Sequence, residues 1–373
     1  MKKMIVFIFV QMVFGVATAE KVATVNPERH SGGLAKLINN QVFPASIDPI
    51  PLPNKSLTER DKNIGNLANQ IIDSNATTSI LLIEKGEIVF ERYKSPANKD
   101  SPLFSQSMSK SLTAYIVGNL LCEGKIKSLD DRADFYAPAL KGTVFGESTI
   151  KDLLTMSSGA KDGIYSGQTY LGEWQDIAFK GVTTGEILKK YGQRDVSSIG
   201  SPLAGGAEFR YKAVDTYALE HVADHAGGFF NTFENTVWKQ SRPQSSGYWL
   251  YDSSKHAQAA SGTSFIARDW ARLAIYSLNE LKRGSSCMQN FMKEATSEQL
   301  PNSSKRIGKA FKGYGYQTWI ANFGGKNSYW WVGYGGQRIG VDPQSEKIIV
   351  LTSYKEDYMG SVYKLFSTWQ NDN

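Results

Sequence analysis

Ser107 and Lys110 stand three residues apart, a spacing that puts both side chains on one face of a helix and close enough to touch. Downstream, Ser111 to Cys122 (SLTAYIVGNLLC) is apolar on nearly every side except at Asn119, which predicts a buried helix. The lysine would then occupy the first turn, beside the positive end of the helix dipole and away from water. Both effects favour the neutral amine, the form that can take a proton from a serine hydroxyl. The chemistry on offer is an activated serine nucleophile. The same spacing recurs at Ser148–Lys151, Ser158–Lys161 and Ser361–Lys364, so on spacing alone the plainer account of Ser107 is a serine near a helix start with a solvated lysine. Only Ser107 opens an apolar helix.

Other residue types invite weaker readings. His221 and His225 share a helical face and echo a His-x-x-Glu-His zinc pattern, with Asp224 in place of the glutamate. A metal centre would also need a third ligand and a base, so solvent-facing histidines are expected, and no metal or other cofactor. His256 and His30 show no partner in the sequence. Cys122 lies on the apolar helix and is expected to pack as a small hydrophobe, although an oxidising compartment would permit a bridge to Cys287. Tyr165, Tyr170, Trp174, Trp249, Trp330, Trp331 and Tyr334 could line an acyl or leaving-group pocket; ordinary core packing accounts for most such aromatics.

These residues need elements to hold them. Ser79–Glu84 and Glu87–Tyr93, joined by Lys85-Gly86, predict a β-hairpin, preceded by an amphipathic stretch near Arg60–Ile72. From Ser107 to about Leu278 the pattern is mostly helices and long loops, with helices expected at Ile150–Met156, Thr184–Tyr191, Val214–Ala226 and Ala267–Asn279. Strands return at Tyr316–Asn322, Ser328–Val332, Arg338–Val341 and Lys347–Ser353, followed by a last helix, Ser361–Gln370. The expected fold is α+β, an α/β sandwich. One antiparallel sheet would be built from N- and C-terminal segments and flanked by helices. A mainly helical lobe, about 107–278, would be inserted between them, placing Ser107 where sheet and lobe meet.

The chain starts with Lys2 and Lys3, an apolar run from Met4 to Val16 and then Ala17-Thr18-Ala19, the pattern of a secretory signal peptide cleaved after Ala19. An irregular lead-in, 20–57, would precede a single domain over 58–373. No later stretch approaches about 18 uninterrupted apolar residues, so no membrane span is expected after cleavage. The formal charge of +6 falls to +4 once Lys2 and Lys3 leave, and the basic residues form no block suited to nucleic acid. A periplasmic protein acting on a small molecule is expected.

Further motifs fall in register with Ser107-x-x-Lys110. They are Leu153–Ala160 (LLTMSSGA), Phe209-Arg210-Tyr211 before a helix, Thr263–Ala274 (TSFIARDWARLA) and Gly333–Gln337 (GYGGQ) before a strand. On these the chain resembles the class C β-lactamase-like serine hydrolases, which include penicillin-binding carboxypeptidases, family VIII esterases and 6-aminohexanoate-dimer hydrolases. The resemblance spans roughly Ser79 to Ser367 and is greatest to the last branch. It implies the β-lactamase/transpeptidase-like fold, Ser107 as nucleophile, Lys110 as its base and Tyr211 as a proton shuttle to the leaving group. It also implies an oxyanion hole from the Ser107 N–H and a strand N–H within Tyr334, Gly335, Gly336 and Gln337, with Tyr165 and Tyr334 beside the substrate.

Departures narrow the activity. Penicillin-recognising members carry Tyr-x-Asn and Lys-Thr-Gly, where this chain has Tyr211-Lys212-Ala213 and Tyr334-Gly335-Gly336. Both losses would weaken binding of a β-lactam carboxylate. The expectation is a hydrolase of an ester, amide or peptide-like bond, not an efficient β-lactamase. The alternative is an envelope module that keeps the fold, with weak or no catalysis, and binds peptidoglycan fragments or a protein partner.

Overall fold

The computed structural model describes residues 39–160, 176–177, 180–193, 208–302 and 308–372. Within them, strands β1 (Asn40–Phe43), β2 (Thr77–Glu84), β3 (Glu87–Tyr93), β4 (Leu103–Phe104), β5 (Gly247–Leu250), β6 (Thr263–Phe265), β7 (Leu300–Pro301), β8 (Gly313–Tyr314), β9 (Trp319–Phe323), β10 (Lys326–Gly333), β11 (Gln337–Asp342) and β12 (Lys347–Ser353) form two antiparallel sheets. The principal helices are α1 (Glu59–Ser74), α2 (Ser109–Cys122), α3 (Ile150–Leu154), α4 (Thr184–Tyr191), α5 (Val214–Gly227), α6 (Ala267–Arg283), α7 (Ser286–Ala295) and α8 (Met359–Asn371). None of the described helices is long and apolar enough to cross a membrane.

The main sheet runs β3-β2-β12-β11-β10-β9-β8-β7, so segments from both ends of the chain make it, as expected. Its central strands are apolar on both faces. In β2, Leu81 and Ile83 enter one core while Ile80 and Leu82 enter the other; β12 divides Ile348 and Val350 from Ile349 and Leu351 in the same way. Two-sided burial explains why these strands appear as unbroken apolar runs instead of alternating. Helices α1 and α8 cover one face, packing Ile64, Ala68, Val362 and Phe366 against Ile80 and Leu82. Helix α1 starts at a capping box in which Thr58 and Asp61 satisfy each other's backbone N–H groups. Helices α2 and α6 cover the opposite face through Leu112, Ile116, Trp270 and Leu273.

A second sheet, β1-β5-β6-β4, was not expected. Its strands are two to four residues long, too short for a period of two to show. It draws Asn40–Phe43 out of the lead-in and puts strands into a region that promised only helices and loops. It also places β4 and β6 side by side, which fixes the approach to Ser107.

The cysteines need a correction. Cys122 and Cys287 form a disulfide with a Cα–Cα distance of 5.7 Å. Cys122 closes the last turn of α2, where burial is giving way to partial exposure. Helix α7, absent from the sequence reading and started by its Ser285 cap, brings Cys287 against that end.

Candidate active site

The segment Ser105–Ser109 passes from β4 through a single 3₁₀ turn, Gln106–Met108, into α2. Gln106 holds φ at +49°, a left-handed conformation that a residue with a side chain adopts at a cost of order 1 kcal/mol. The turn is tied down from behind. The Ser105 N–H donates to the Thr263 carbonyl at 2.8 Å, and the Ser109 hydroxyl lies 2.8 Å from that of Ser105 and 3.1 Å from that of Thr263.

Lys110 follows in the first turn of α2 and is 2% exposed. Its Nζ lies 3.1 Å from Ser107 Oγ and 2.8 Å from the carbonyl oxygen of Ala260. A neutral amine in that place can donate to Ala260 and keep its lone pair for the serine proton. The same Nζ sits 5.4 Å from the centre of the Tyr211 ring. Tyr211 is buried, with Trp319 and Tyr314 at centroid distances of 5.1 and 6.2 Å. Serine, lysine and tyrosine thus converge from a turn, a helix and the segment leading into α5.

Lys212, beside the tyrosine, is completely buried. Its Nζ contacts Asp215 Oδ2 at 3.0 Å and donates to the carbonyls of Met156 at 3.0 Å and Arg210 at 3.2 Å. Asp215 accepts from the Ser158 hydroxyl at 2.5 Å. Burial pushes the Asp215 carboxyl up, against the pull of Lys212 and Ser158.

Opposite Ser107, β10 ends at Gly333 and a tight turn leads into β11, with Gly335 and Gly336 at φ of +76° and +95°. The glycine pair thus serves a reversal of the chain between two strands. Gln337 is fully buried, and its amide donates to the carbonyls of Tyr334 and Ser353 and accepts from the Ser353 N–H. It braces the turn from inside and is spent on backbone. Arg338 adds a second brace by donating to the Gly333 carbonyl at 2.8 Å. Tyr334 stands half-buried at the start of the turn.

A family model described as Beta-lactamase matches residues 68–364. The chain belongs to the beta-lactamase family. Among relatives, it is 22% identical over 301 residues to the 6-aminohexanoate-dimer hydrolase of Paenarthrobacter ureafaciens, covering 76% of this chain and 74% of that one. Among solved structures, a candidate 6-aminohexanoate-dimer hydrolase from Bacillus anthracis superposes with a TM-score of 0.73 at 21% identity, over 93% of this chain and 92% of the other. A D-stereospecific amidohydrolase from Streptomyces gives a TM-score of 0.60 at 15% identity, covering 83% and 98%. The beta-lactamase/transpeptidase-like fold expected from the motifs is therefore the fold observed, and the chain is a serine hydrolase.

In this beta-lactamase-family chain, Ser107, Lys110 and Tyr211 come together, and Tyr334–Gln337 form a turn whose strand end packs on Ser105 and Gln106. Tyr165, Tyr170 and Trp174 lie outside the described residues. Trp249, Trp330 and Trp331 are fully buried core residues, not pocket lining. Trp249, for example, packs edge-on to Phe229 and Phe233. Ala260 went unnoticed, while Gly333 was named only as the start of the GYGGQ stretch and Arg338 only as the first residue of a strand. The first acts through a backbone carbonyl, which no residue type announces.

His221 departs from expectation, whereas His225 is exposed as expected. His221 is buried, because α4 and the loop carrying His256 cover its face of α5. Its ring stacks on His256, with centroids 4.0 Å apart and an interplanar angle of 23°. Glu220 Oε2 lies 3.1 Å from His256 Nδ1 and 3.9 Å from His221 Nε2. One ligand atom from each of the three lies within 4.8 Å of the others. Near-parallel rings, however, hold their lone pairs side by side instead of aiming them at one point. Glu220 also accepts from His256 and from the Ala257 N–H at 2.9 Å. The arrangement is that of a buried hydrogen-bonded cluster. Burial pushes Glu220 up to about 7 and His221 down to about 3, while the hydrogen bond to Glu220 raises His256.

Proposed function

We propose that the protein is an exported esterase or amidase that works through a Ser107 acyl-enzyme. Ser107 Oγ attacks the acyl carbonyl as Lys110 Nζ takes its proton. The tetrahedral oxyanion is held by the Ser107 N–H and a second N–H from the Tyr334–Gln337 turn. Collapse breaks the bond to the leaving group, which receives a proton from Tyr211 Oη. Lys110 returns its proton to the tyrosinate, and water then releases the acyl group by the same steps in reverse.

The observation that carries this reading is the buried contact of Lys110 with both Ser107 Oγ and the Ala260 carbonyl. A neutral substrate is favoured over a β-lactam, because Ala213 stands where penicillin-recognising members carry asparagine and no lysine occupies the β10–β11 turn. The named activities of the relatives, a 6-aminohexanoate-dimer hydrolase and a D-stereospecific amidohydrolase, agree with that choice. Residues 1–19 would direct export to the periplasm, and the Cys122–Cys287 bridge suits an oxidising compartment.

The test is to treat the purified mature protein with a fluorophosphonate probe and locate the adduct by mass spectrometry, alongside p-nitrophenyl acyl ester turnover. Labelling and turnover are expected at Ser107 and lost in Ser107→Ala. A protein that takes no label and turns over no ester is instead a binding module that has kept the fold.

A further inference from the structure

Tyr211 is fixed by its two neighbours, and both are tied to one residue. The Arg210 N–H donates to the Met156 carbonyl at 2.9 Å, and the Lys212 N–H contacts Met156 Sδ at 3.4 Å. Met156 itself holds φ at +55° at the end of the turn after α3, so its carbonyl is presented outside the helical ladder. The Lys212 ammonium then joins this carbonyl, the Arg210 carbonyl and Asp215 in one network, spending all three of its hydrogens. Through Asp215 the network reaches the Ser158 hydroxyl and N–H. Every group in it is buried.

A buried ion pair of this kind is a poor way to gain stability. Well-packed apolar residues of the same volume usually serve as well or better, because desolvating two charges is expensive. What the network does supply is orientation, since three acceptors in fixed directions define where residues 210–212 lie. That anchor stands in a chain with alanine at position 213, two residues past the tyrosine, which has no polar group to help.

We infer that Lys212, paired with Asp215, is a positioning residue for Tyr211: it sets the tyrosine hydroxyl at the leaving-group side of the acyl bond. The inference rests on the proposed role of Tyr211 as proton donor. Misplacement by about 1 Å is enough to lose much of a proton-transfer contribution of about 10²–10⁴.

The leaving group provides the readout. Two substrates with the same acyl group are compared, one leaving as p-nitrophenolate, which needs no proton, and one as an alkyl alcohol or alkylamine, which does. In Lys212→Met, kcat/KM for the second, which reports acylation and not the shared deacylation step, is expected to fall about tenfold or more beyond any fall for the first. Lys212→Met/Asp215→Leu removes both charges, leaves no unpaired ion behind, and should show the same split even if the single variant folds poorly. Because the split is a ratio measured on one preparation, a loss of folded protein cancels. Tyr211→Phe is the reference and should show the split at full size. A split in Tyr211→Phe without one in either lysine variant overturns the inference alone. No split in Tyr211→Phe overturns the proton-delivery reading and the inference with it.

Discussion

Gly333 and Ser105 are in backbone contact: a Cβ on Gly333 would lie 2.3 Å from the Ser105 carbonyl oxygen. The end of β10 is therefore pressed against the residue two before Ser107. Gly333→Ala should force the two segments apart, costing about 1–3 kcal/mol in stability and at least tenfold in kcat on a p-nitrophenyl ester. Gly360→Ala, in the first turn of α8 with open space around its Cβ, is the control and should leave kcat unchanged. Equal activity of the Gly333 variant and the control would show that the close approach does not position the site.

The disulfide closes a loop of 165 residues between α2 and α7. Chain-entropy arguments put the stabilisation from a loop of that length at about 5 kcal/mol, an upper value. Cys122→Ser/Cys287→Ser should therefore melt well below the wild type, and reductant should lower the melting temperature of the wild type alone. A reductant-insensitive melt would contradict the bridge.

His221 predicts a pH dependence. Its imidazole is held down to about 3 in the fold by burial, whereas in the unfolded chain it takes a proton near 6.5. The unfolded state thus binds the extra proton below that pH. The stability due to neutral His221 is fully present above about 6.5 and is lost as pH falls towards 3, by roughly 1.4 kcal/mol per pH unit. Glu220, pushed up to about 7, acts in the opposite sense, so the readout is the difference between wild type and His221→Gln in denaturant titrations from pH 7 to 4. Parallel stability curves for the two proteins would rule this account out.

Absence of the β-lactam recognition residues predicts poor nitrocefin hydrolysis. A preparation active on p-nitrophenyl esters should show kcat/KM on nitrocefin at least about a hundredfold lower. Comparable rates would mean that other groups replace the asparagine and the lysine.

The main sheet was legible because two-sided burial leaves long apolar runs, and β12 was expected at its observed bounds, Lys347–Ser353. Helix α4 likewise begins and ends where its Thr183–Glu186 capping box and Gly192 put it. The short second sheet was not legible, since strands of two to four residues carry no periodicity. At the site, Ser107 and Lys110 announced themselves by spacing and setting. Ala260 could not, because it offers only its backbone carbonyl, and Gly333 stood in a motif whose close approach to Ser105 is visible only in the fold. Lys212 appeared only as a departure from a motif; its burial depends on Met156, Ser158 and Asp215 meeting in three dimensions.

The place of β12 between β2 and β11 has a consequence for how the protein is made. Thr78 and Thr352, hydrogen-bonded neighbours across β2 and β12, are 274 residues apart in the chain. While the ribosome is still adding residues, the hairpin β2–β3 has no third strand to lie against. The main sheet can close only when nearly the whole polypeptide has been released. Until then β2 keeps one edge without its partner strand, and the sheet is completed through contacts of long sequence separation.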